Sequence, residues 1–208
     1  GNTTNLLTNG DFTTDVTGWT GNSATLTSVG GGQSGNCLQL TNNSTYNGVG
    51  KQSVSVTPGK WYEVVFWHKN GVTTGIVRVG TTDQGSEYWD SGNLNDTNWT
   101  RHSKLIKATT STMHFSFWVG SNINGQYTYW DTTSICESVN AKYFHIGKGY
   151  LWACTAKNKV KRTNILTSWG ADIIVGEDLY AITAFINYQG RLLVGKEDGI
   201  WEIDSQDL

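Results

Sequence analysis

The chain has 208 residues, with 15 Lys/Arg against 17 Asp/Glu, ten Trp, 25 Gly and a single Pro. A formal charge of −2 supplies no basic field for nucleic acid or an anionic membrane, so neither is expected as a partner. The length allows one large β domain or two smaller ones with a sizeable core. Long helical periodicity is absent. Short apolar–polar alternations recur between clusters of Gly, Asn, Ser and Thr, which predicts an all-β protein. Three cysteines (Cys37, Cys136, Cys154) leave at least one unpaired, and no CxxC or Cys/His spacing marks a zinc site. No signal peptide or transmembrane run stands in these residues. Gly1 reads as a cloning remnant, which leaves the native chain ends open.

In chain order, Asn5–Leu7 predicts a short strand closed by the Asn9-Gly10 turn. Asp11-Phe12 follow it, and Gly18-Trp19 come a few residues later. Ser34-Gly35-Asn36-Cys37-Leu38-Gln39-Leu40 leads from a turn into a strand. After Thr57-Pro58-Gly59-Lys60, the run Trp61–His68 alternates between two sets, Tyr62/Val64/Phe66 and Trp61/Glu63/Val65/Trp67. Gly75–Val79 alternates Val77/Val79 with Ile76/Arg78, and Thr112–Val119 alternates Met113/Phe115/Phe117/Val119 with His114/Ser116/Trp118. Tyr129-Trp130-Asp131-Thr132-Thr133-Ser134-Ile135 forms the last strand of this part.

The texture changes after about Val139. Strands are predicted at Tyr143–Ile146, Tyr150–Thr155, Lys159–Arg162, Asp172–Val175, Ala181–Asn187, Arg191–Gly195 and Gly199–Ile203. Tight turns such as Gly147-Lys148-Gly149 and Glu197-Asp198-Gly199 separate them.

In their order, the segments from Asn5 to Phe12, Gly18-Trp19, Ser34 to Leu40, Thr57 to Tyr62 and Tyr129 to Ile135 resemble carbohydrate-binding modules of the family 4/9/22 type. The resemblance spans residues 5–137. It implies an antiparallel β-sandwich jelly roll over residues 1–139 that binds a polysaccharide or cell-surface glycan in a groove on one sheet. It also implies that Tyr62/Val64/Phe66, Val77/Val79 and Met113/Phe115/Phe117/Val119 face the core. Trp67, Trp118, Arg78, Glu63 and His114 then face outward, and they are the expected groove residues. Indole stacks on the apolar face of a sugar ring, while Arg, Glu and His serve its hydroxyls. Tyr46 and Trp89, in loop-like stretches, are expected at the groove rim. Trp19 and Trp99 are expected in the core.

The same resemblance implies one structural Ca2+ near the N-terminal turn. Asp11, the Gly30–Asn36 loop ending at Asn36, and Asp131 are the expected ligands. Thr13 stands where many members carry an acid, so one carboxylate is missing. Cys37 and Cys136 lie in strands of the same jelly roll, and their pairing is left open.

Residues 140–208 resemble a β-propeller blade, carried by Ile182 to Phe185, Gly190 to Gly195 and Gly199 to Asp204, with 143–175 as a more divergent preceding blade. The fold expected for this part is a small β-meander or partial propeller-like segment of a longer chain. Trp152, Trp169 and Trp201 are expected in its core. Ile182, Phe185, Leu192, Val194 and Trp201 are expected to form an apolar face that needs a neighbour, such as remaining blades or other subunits. Blades of this wording occur in phage tail and structural proteins, which implies a virion or extracellular surface location. No nucleophile elbow, phosphate loop, metal-spaced His pair or paired acids are present, so a non-catalytic protein is expected. Two other readings stand beside glycan binding. One is a purely structural or adhesive assembly domain, and the other is an ancillary module of a glycoside hydrolase.

Overall fold

A computed structural model describes residues 4–138, 144–147, 150–156, 159–163, 173–175, 181–189, 191–197 and 199–203. Every regular element among them is a strand. The chain divides into two compact units, Thr4–Cys136 and a second one from Glu137 onward.

The first unit opens with a segment that carries no strand, although it is held like one. Leu6 N–H donates to Ile135 O, and Asn5 ties to Thr133 and Ile135 through its side chain. The strand predicted at Asn5–Leu7 is therefore an irregular stretch docked on the last strand. Ten strands follow. The first five are β1 (Thr20–Asn22), β2 (Ala24–Gly30), β3 (Asn36–Asn42), β4 (Val49–Ser55) and β5 (Trp61–Asn70). The others are β6 (Gly75–Gly80), β7 (Trp89–Asp90), β8 (Thr100–Lys107), β9 (Thr112–Val119) and β10 (Tyr127–Ser138).

They form two five-stranded sheets. One has the order β2-β3-β10-β5-β8 and is called here the β5 sheet; the other, β1-β4-β9-β6-β7, is the β9 sheet. The strand pairs whose register is defined are antiparallel. This is a β-sandwich, and alternation along each strand sends every second residue into the space between the sheets. Tyr62, Val64 and Phe66 of β5 and Met113, Phe115, Phe117 and Val119 of β9 are buried there, in the expected phase.

An aromatic seam joins the two sheets. Trp130 of β10 stacks on Phe117 of β9 at 4.3 Å between ring centroids, and Phe66 meets Trp130 edge-on at 5.7 Å. Trp19 lies against Phe117 at 5.1 Å, as its expected core role requires. Each such pair adds about 0.5–1.5 kcal/mol beyond area burial. The seam depends on one missing side chain. At Gly75 in β6, a Cβ would collide with the Trp130 ring and His68 Nε2.

The three cysteines are free thiols. Cys37 lies in β3, and burial is the main cause that pushes its pKa up to about 11, with the neighbouring Asp131 adding to it. Burial also raises Cys136.

In the second unit, β11 (Phe144–Gly147), β12 (Tyr150–Ala156), β13 (Lys159–Thr163) and β14 (Ile173–Ile174) form a four-stranded antiparallel meander. β15 (Ile182–Tyr188), β16 (Arg191–Lys196) and β17 (Gly199–Ile203) form a three-stranded one. Among the described residues, seven strands fall on the seven predicted segments. Trp152, Cys154, Val160 and Val175 of the first meander pack in one core with Ile182, Leu192, Val194 and Ile203 of the second. Three residues expected on an unpartnered face, Ile182, Leu192 and Val194, are therefore buried: the two meanders cover each other. Trp201, expected in the core, is 39% exposed, and Ile146, Ile174, Ile186 and Ile200 are exposed as well. Trp169 lies outside the described residues.

A Gly75→Ala substitution is expected to destabilise the protein by roughly 1–3 kcal/mol, because the added methyl would meet the fully buried Trp130 ring and His68. Urea unfolding monitored by Trp fluorescence measures it. An unchanged midpoint would show that the seam tolerates the methyl group.

Candidate functional site

Outward-facing residues of the β5 sheet form an aromatic and polar surface. β5 contributes Glu63, Val65, Trp67 and Lys69 from its non-core phase. Antiparallel pairing sets Arg101 of β8 opposite Trp67 and Ser103 opposite Val65. On the other side of β5, β10 presents Tyr127 and Tyr129, whose partners on β3 are Thr41 and Gln39. Trp67, Lys69, Tyr127 and Tyr129 are all half-buried, so each offers part of its surface to solvent.

The charged groups here are arranged around the rings. Lys69 Nζ sits 5.2 Å from the Trp99 ring centroid and 5.3 Å from that of Tyr129. Tyr127 and Tyr129 meet edge-on at 5.4 Å. Arg101 donates to Glu63 at 3.3 Å and to the Ser103 hydroxyl at 3.2 Å. Both partners of the Arg101–Glu63 pair are nearly half exposed, so the pair adds little to stability and remains available to a ligand.

Trp99 departs from its expected core position. Its indole N–H donates to Gly31 O at 3.2 Å. Gly31 lies in the β2–β3 hairpin at one edge of the sheet, and Trp99 immediately precedes β8 at the other. The ring thus lies at the outer face next to Lys69.

The loop that carries Trp99 is anchored by a buried polar network. Asp96 Oδ2 accepts from His68 Nδ1 at 2.7 Å and from His102 Nε2 at 2.8 Å. An ionised Asp96 can only accept, so His68 carries its proton on Nδ1, and its Nε2 then accepts from the Thr128 hydroxyl at 2.8 Å. Burial is the largest influence on His68 and outweighs the bond to Asp96, so its pKa falls to about 4. For Asp96, burial works upward, but the hydrogen bonds to the two imidazoles hold it below the usual carboxylate value. Asn70 reinforces the anchor: its N–H donates to Asp96 O at 2.7 Å and its amide to Asn95 Oδ1 at 2.8 Å.

The expected groove set does not lie on one face. Trp67 and Glu63 belong to the β5 sheet, whereas Trp118, Arg78 and His114 belong to the β9 sheet. The five residues are outward-facing as expected, but they face out on opposite sides of the sandwich. Strand alternation distinguishes inside from outside and carries no information about which of two sheets a strand joins. Trp118 is moreover occupied: the Arg78 guanidinium lies over its ring at 4.5 Å, and its N–H donates to Ser116 Oγ at 2.9 Å. Arg78 in turn pairs with Asp90 at 3.1 Å. His114 lines a shallow pocket with Thr20, Ser53 and the Lys51–Asp83 ion pair. Trp89 is not at a groove rim; it packs on the core against Phe66 at 5.4 Å. Tyr46, 75% exposed, stands free in the β3–β4 loop. Lys69, Tyr127 and Tyr129 were missed. The signal was present, because a buried Trp130 requires Tyr129 and Tyr127 to point outward, and Lys69 shares the phase of Trp67.

Around the expected ion site, Asp131 is completely buried. Its carboxylate accepts from the N–H groups of Ser34 and Thr132 and forms no ion pair among the described residues. Burial raises its pKa against those donors. Asp11 is exposed and bonds to Thr13 of its own turn, while the Asn36 amide donates to Thr13 O and Ser28 Oγ. Among the described residues no three His, Cys, Asp or Glu side chains are grouped to share a metal.

No protein-family model and no curated protein matches the sequence. Solved structures of similar fold include the enzymatically active domain of bacteriophage CBA120 tailspike protein 4, at 17% identity and TM-score 0.52, covering 64% of this chain and 21% of that one. Arabinose-bound α-L-arabinofuranosidase MgGH51 is similar at 16% identity and TM-score 0.52, covering 65% and 26%. TmCBM61 in complex with β-1,4-galactotriose is similar at 16% identity and TM-score 0.51, covering 65% of this chain and 100% of that one. The chain thus spans about a quarter or less of the length of the first two. These likenesses show the fold, a β-sandwich jelly roll.

His68 makes stability depend on pH. The unfolded state takes up its proton near pH 6.5 and the folded state only near pH 4. Stability is therefore full above pH 6.5 and falls as the pH drops toward 4, by about 3 kcal/mol for a pKa difference of this size. Burial of Asp131, which raises its pKa, works in the opposite direction at the acid end. A melting temperature measured from pH 7 to pH 4 should decline across this window; a flat profile would mean that His68 is protonated in the fold.

Proposed function

We propose that the jelly-roll unit is a non-catalytic glycan-binding module that holds a polysaccharide on the outer face of the β5 sheet. The observation that carries this reading is the convergence of Trp67, Tyr127 and Tyr129 with Lys69 and the Arg101–Glu63 pair on one sheet face, beside Trp99. Rings offer flat apolar area to sugar C–H faces, and the fixed charged groups provide donors and acceptors for hydroxyls. Glu63 is bound to Arg101 and is the one acid of its strand, which leaves no second carboxylate there for a hydrolytic pair. The fold shared with a module crystallised with β-1,4-galactotriose supports the reading. Single-site affinity should be modest, since solvent-exchanged hydrogen bonds leave little net energy, and repeated copies on a particle would raise it.

Affinity electrophoresis in gels containing xylan, laminarin, mannan or acidic polysaccharides tests the proposal. Trp67→Ala should abolish retardation, while Trp118→Ala, on the opposite face, should leave it unchanged. Loss in Trp118→Ala alone would transfer the site to the β9 sheet.

A surface location, extracellular or on a virion, suits such a module. The second unit is proposed as a propeller-like part of a larger assembly, supported by its two consecutive meanders and its exposed Ile146, Ile174, Ile186 and Ile200. That feature also favours the second reading, an assembly domain whose contacts lie in residues 137–208.

A structural Ca2+ is proposed at Asp131. Its carboxylate is buried without a cationic partner, and the Gly31–Asn36 loop wrapped on it is a source of carbonyl oxygens. The ion would supply the missing positive charge; Asp11, exposed on its own turn, is a peripheral contributor at most. Chelation by EDTA should lower the melting temperature by roughly 5 °C, with Ca2+ restoring it and Asp131→Asn removing the response. A melting temperature indifferent to EDTA in the unsubstituted protein would rule the ion out.

A further inference from the structure

Lys69 is an unusual component of a sugar-stacking surface. A neutral glycan needs rings and hydrogen-bonding groups, and an ammonium among the rings competes with sugar for their π faces. Here the Nζ lies within 5.3 Å of two ring centroids, and neither a carboxylate nor any hydrogen-bond acceptor among the described residues engages it. The one acid on the same strand face, Glu63, is already committed to Arg101. Lys107 adds another cation to this face, opposite Trp61. The cationic excess is local, because the whole chain carries a net charge of −2.

The half-buried stem of Lys69 and the rings on either side fix where its charge can be. Trp99 is itself held by its bond to Gly31, and its loop by the His68–Asp96–His102 network. The ammonium is thus a preorganised cation, weakly stabilised by the rings at about 0.5–1 kcal/mol and paired with no carboxylate among the described residues. A sugar stacked on Tyr129 or Trp99 would bring its ring substituents against Nζ. A carboxylate there would form a charge-assisted hydrogen bond, the strong class of such bonds.

We infer that the ligand is an acidic polysaccharide, a polymer bearing uronate carboxylates, and that Lys69 is the residue that selects the charge. The inference rests on the glycan-binding reading above and specifies its substrate class. Trp67 and the two tyrosines provide contact area common to any hexose chain, and Lys69 provides discrimination between a carboxylate and a hydroxymethyl group at one ring position.

The test uses the whole chain in affinity gels at physiological ionic strength, where the screening length of about 8 Å suppresses diffuse attraction. The probes are polygalacturonate, glucuronoxylan and alginate, each compared with its carboxyl-reduced form, with laminarin and mannan as neutral polymers. Retardation by at least one uronate polymer is expected, falling roughly tenfold or more on carboxyl reduction and equally in Lys69→Met. Lys69→Arg, which keeps the charge, should retain most of the binding and thereby separates lost charge from lost fold. Two results overturn the inference while leaving glycan binding intact: retardation by laminarin or mannan that exceeds every uronate polymer, or equal retardation by the native and reduced forms. Absence of retardation in all gels overturns the inference and the glycan-binding reading together.

Discussion

The packing of Trp130 against Phe117 and Phe66 determines what the rest of the first unit can do. Trp130 is the largest fully buried side chain of the first unit, and its ring connects the middle strand of the β5 sheet to the middle strand of the β9 sheet. Its position requires a glycine at 75 on the facing strand. It also leaves the Trp130 Nε1–H buried with no acceptor among the described residues, a cost the protein tolerates for the area the indole covers. With Trp130 turned inward, strand geometry turns Tyr129 and, two residues earlier, Tyr127 outward. The core and the candidate face are two sides of one alternation, so the ring that closes the sandwich also orients the rings available to a ligand.

The His68–Asp96–His102 network lies at the junction between core and surface. His68 stacks obliquely beside Trp130 at 4.5 Å, and His102 lies flat on Phe66 at 5.2 Å. Both imidazoles are thus packed as aromatic core residues on one side and bound to a carboxylate on the other. Asp96 fastens a loop that Asn70 and the Trp99–Gly31 bond also tie to the sheet. The loop brings Trp99 over the outer face, where it reaches the hairpin at the far edge. A buried polar arrangement of this kind fixes geometry more than it adds net stability, since the desolvation of three ionisable groups offsets most of the gain from their mutual bonds.

Much of this was legible in the sequence, and the limits have physical reasons. Period-two alternation in Trp61–His68, Gly75–Val79 and Thr112–Val119 identified the buried set, because a slip of one residue would have exposed Phe66, Phe115 and Phe117 together. The seven strands of the second unit could be read from their turns. Sheet membership was not legible: β5 and β9 both alternate, both carry an outward Trp, and only pairing partners far along the chain decide which sheet each joins. Trp99 was misread for a related reason. Its neighbours Gly31 and Lys69 are 68 and 30 residues away, so no local pattern indicates that it lies on the surface. In the second unit, Ile182, Leu192 and Val194 looked unpartnered because one meander was considered without the other. Their partners, Trp152 and Val160, belong to the preceding meander.

The three free thiols bear on how such a chain can be made. No covalent cross-link contributes to the jelly roll; its strands are held by ladders, the aromatic seam and the docking of Asn5 on the last strand. Cys37 is buried, with a pKa near 11, so almost none of it exists as the thiolate that oxidants and disulfides attack. The fold of the jelly roll consequently does not depend on forming a disulfide, whether the surrounding medium is reducing or oxidising.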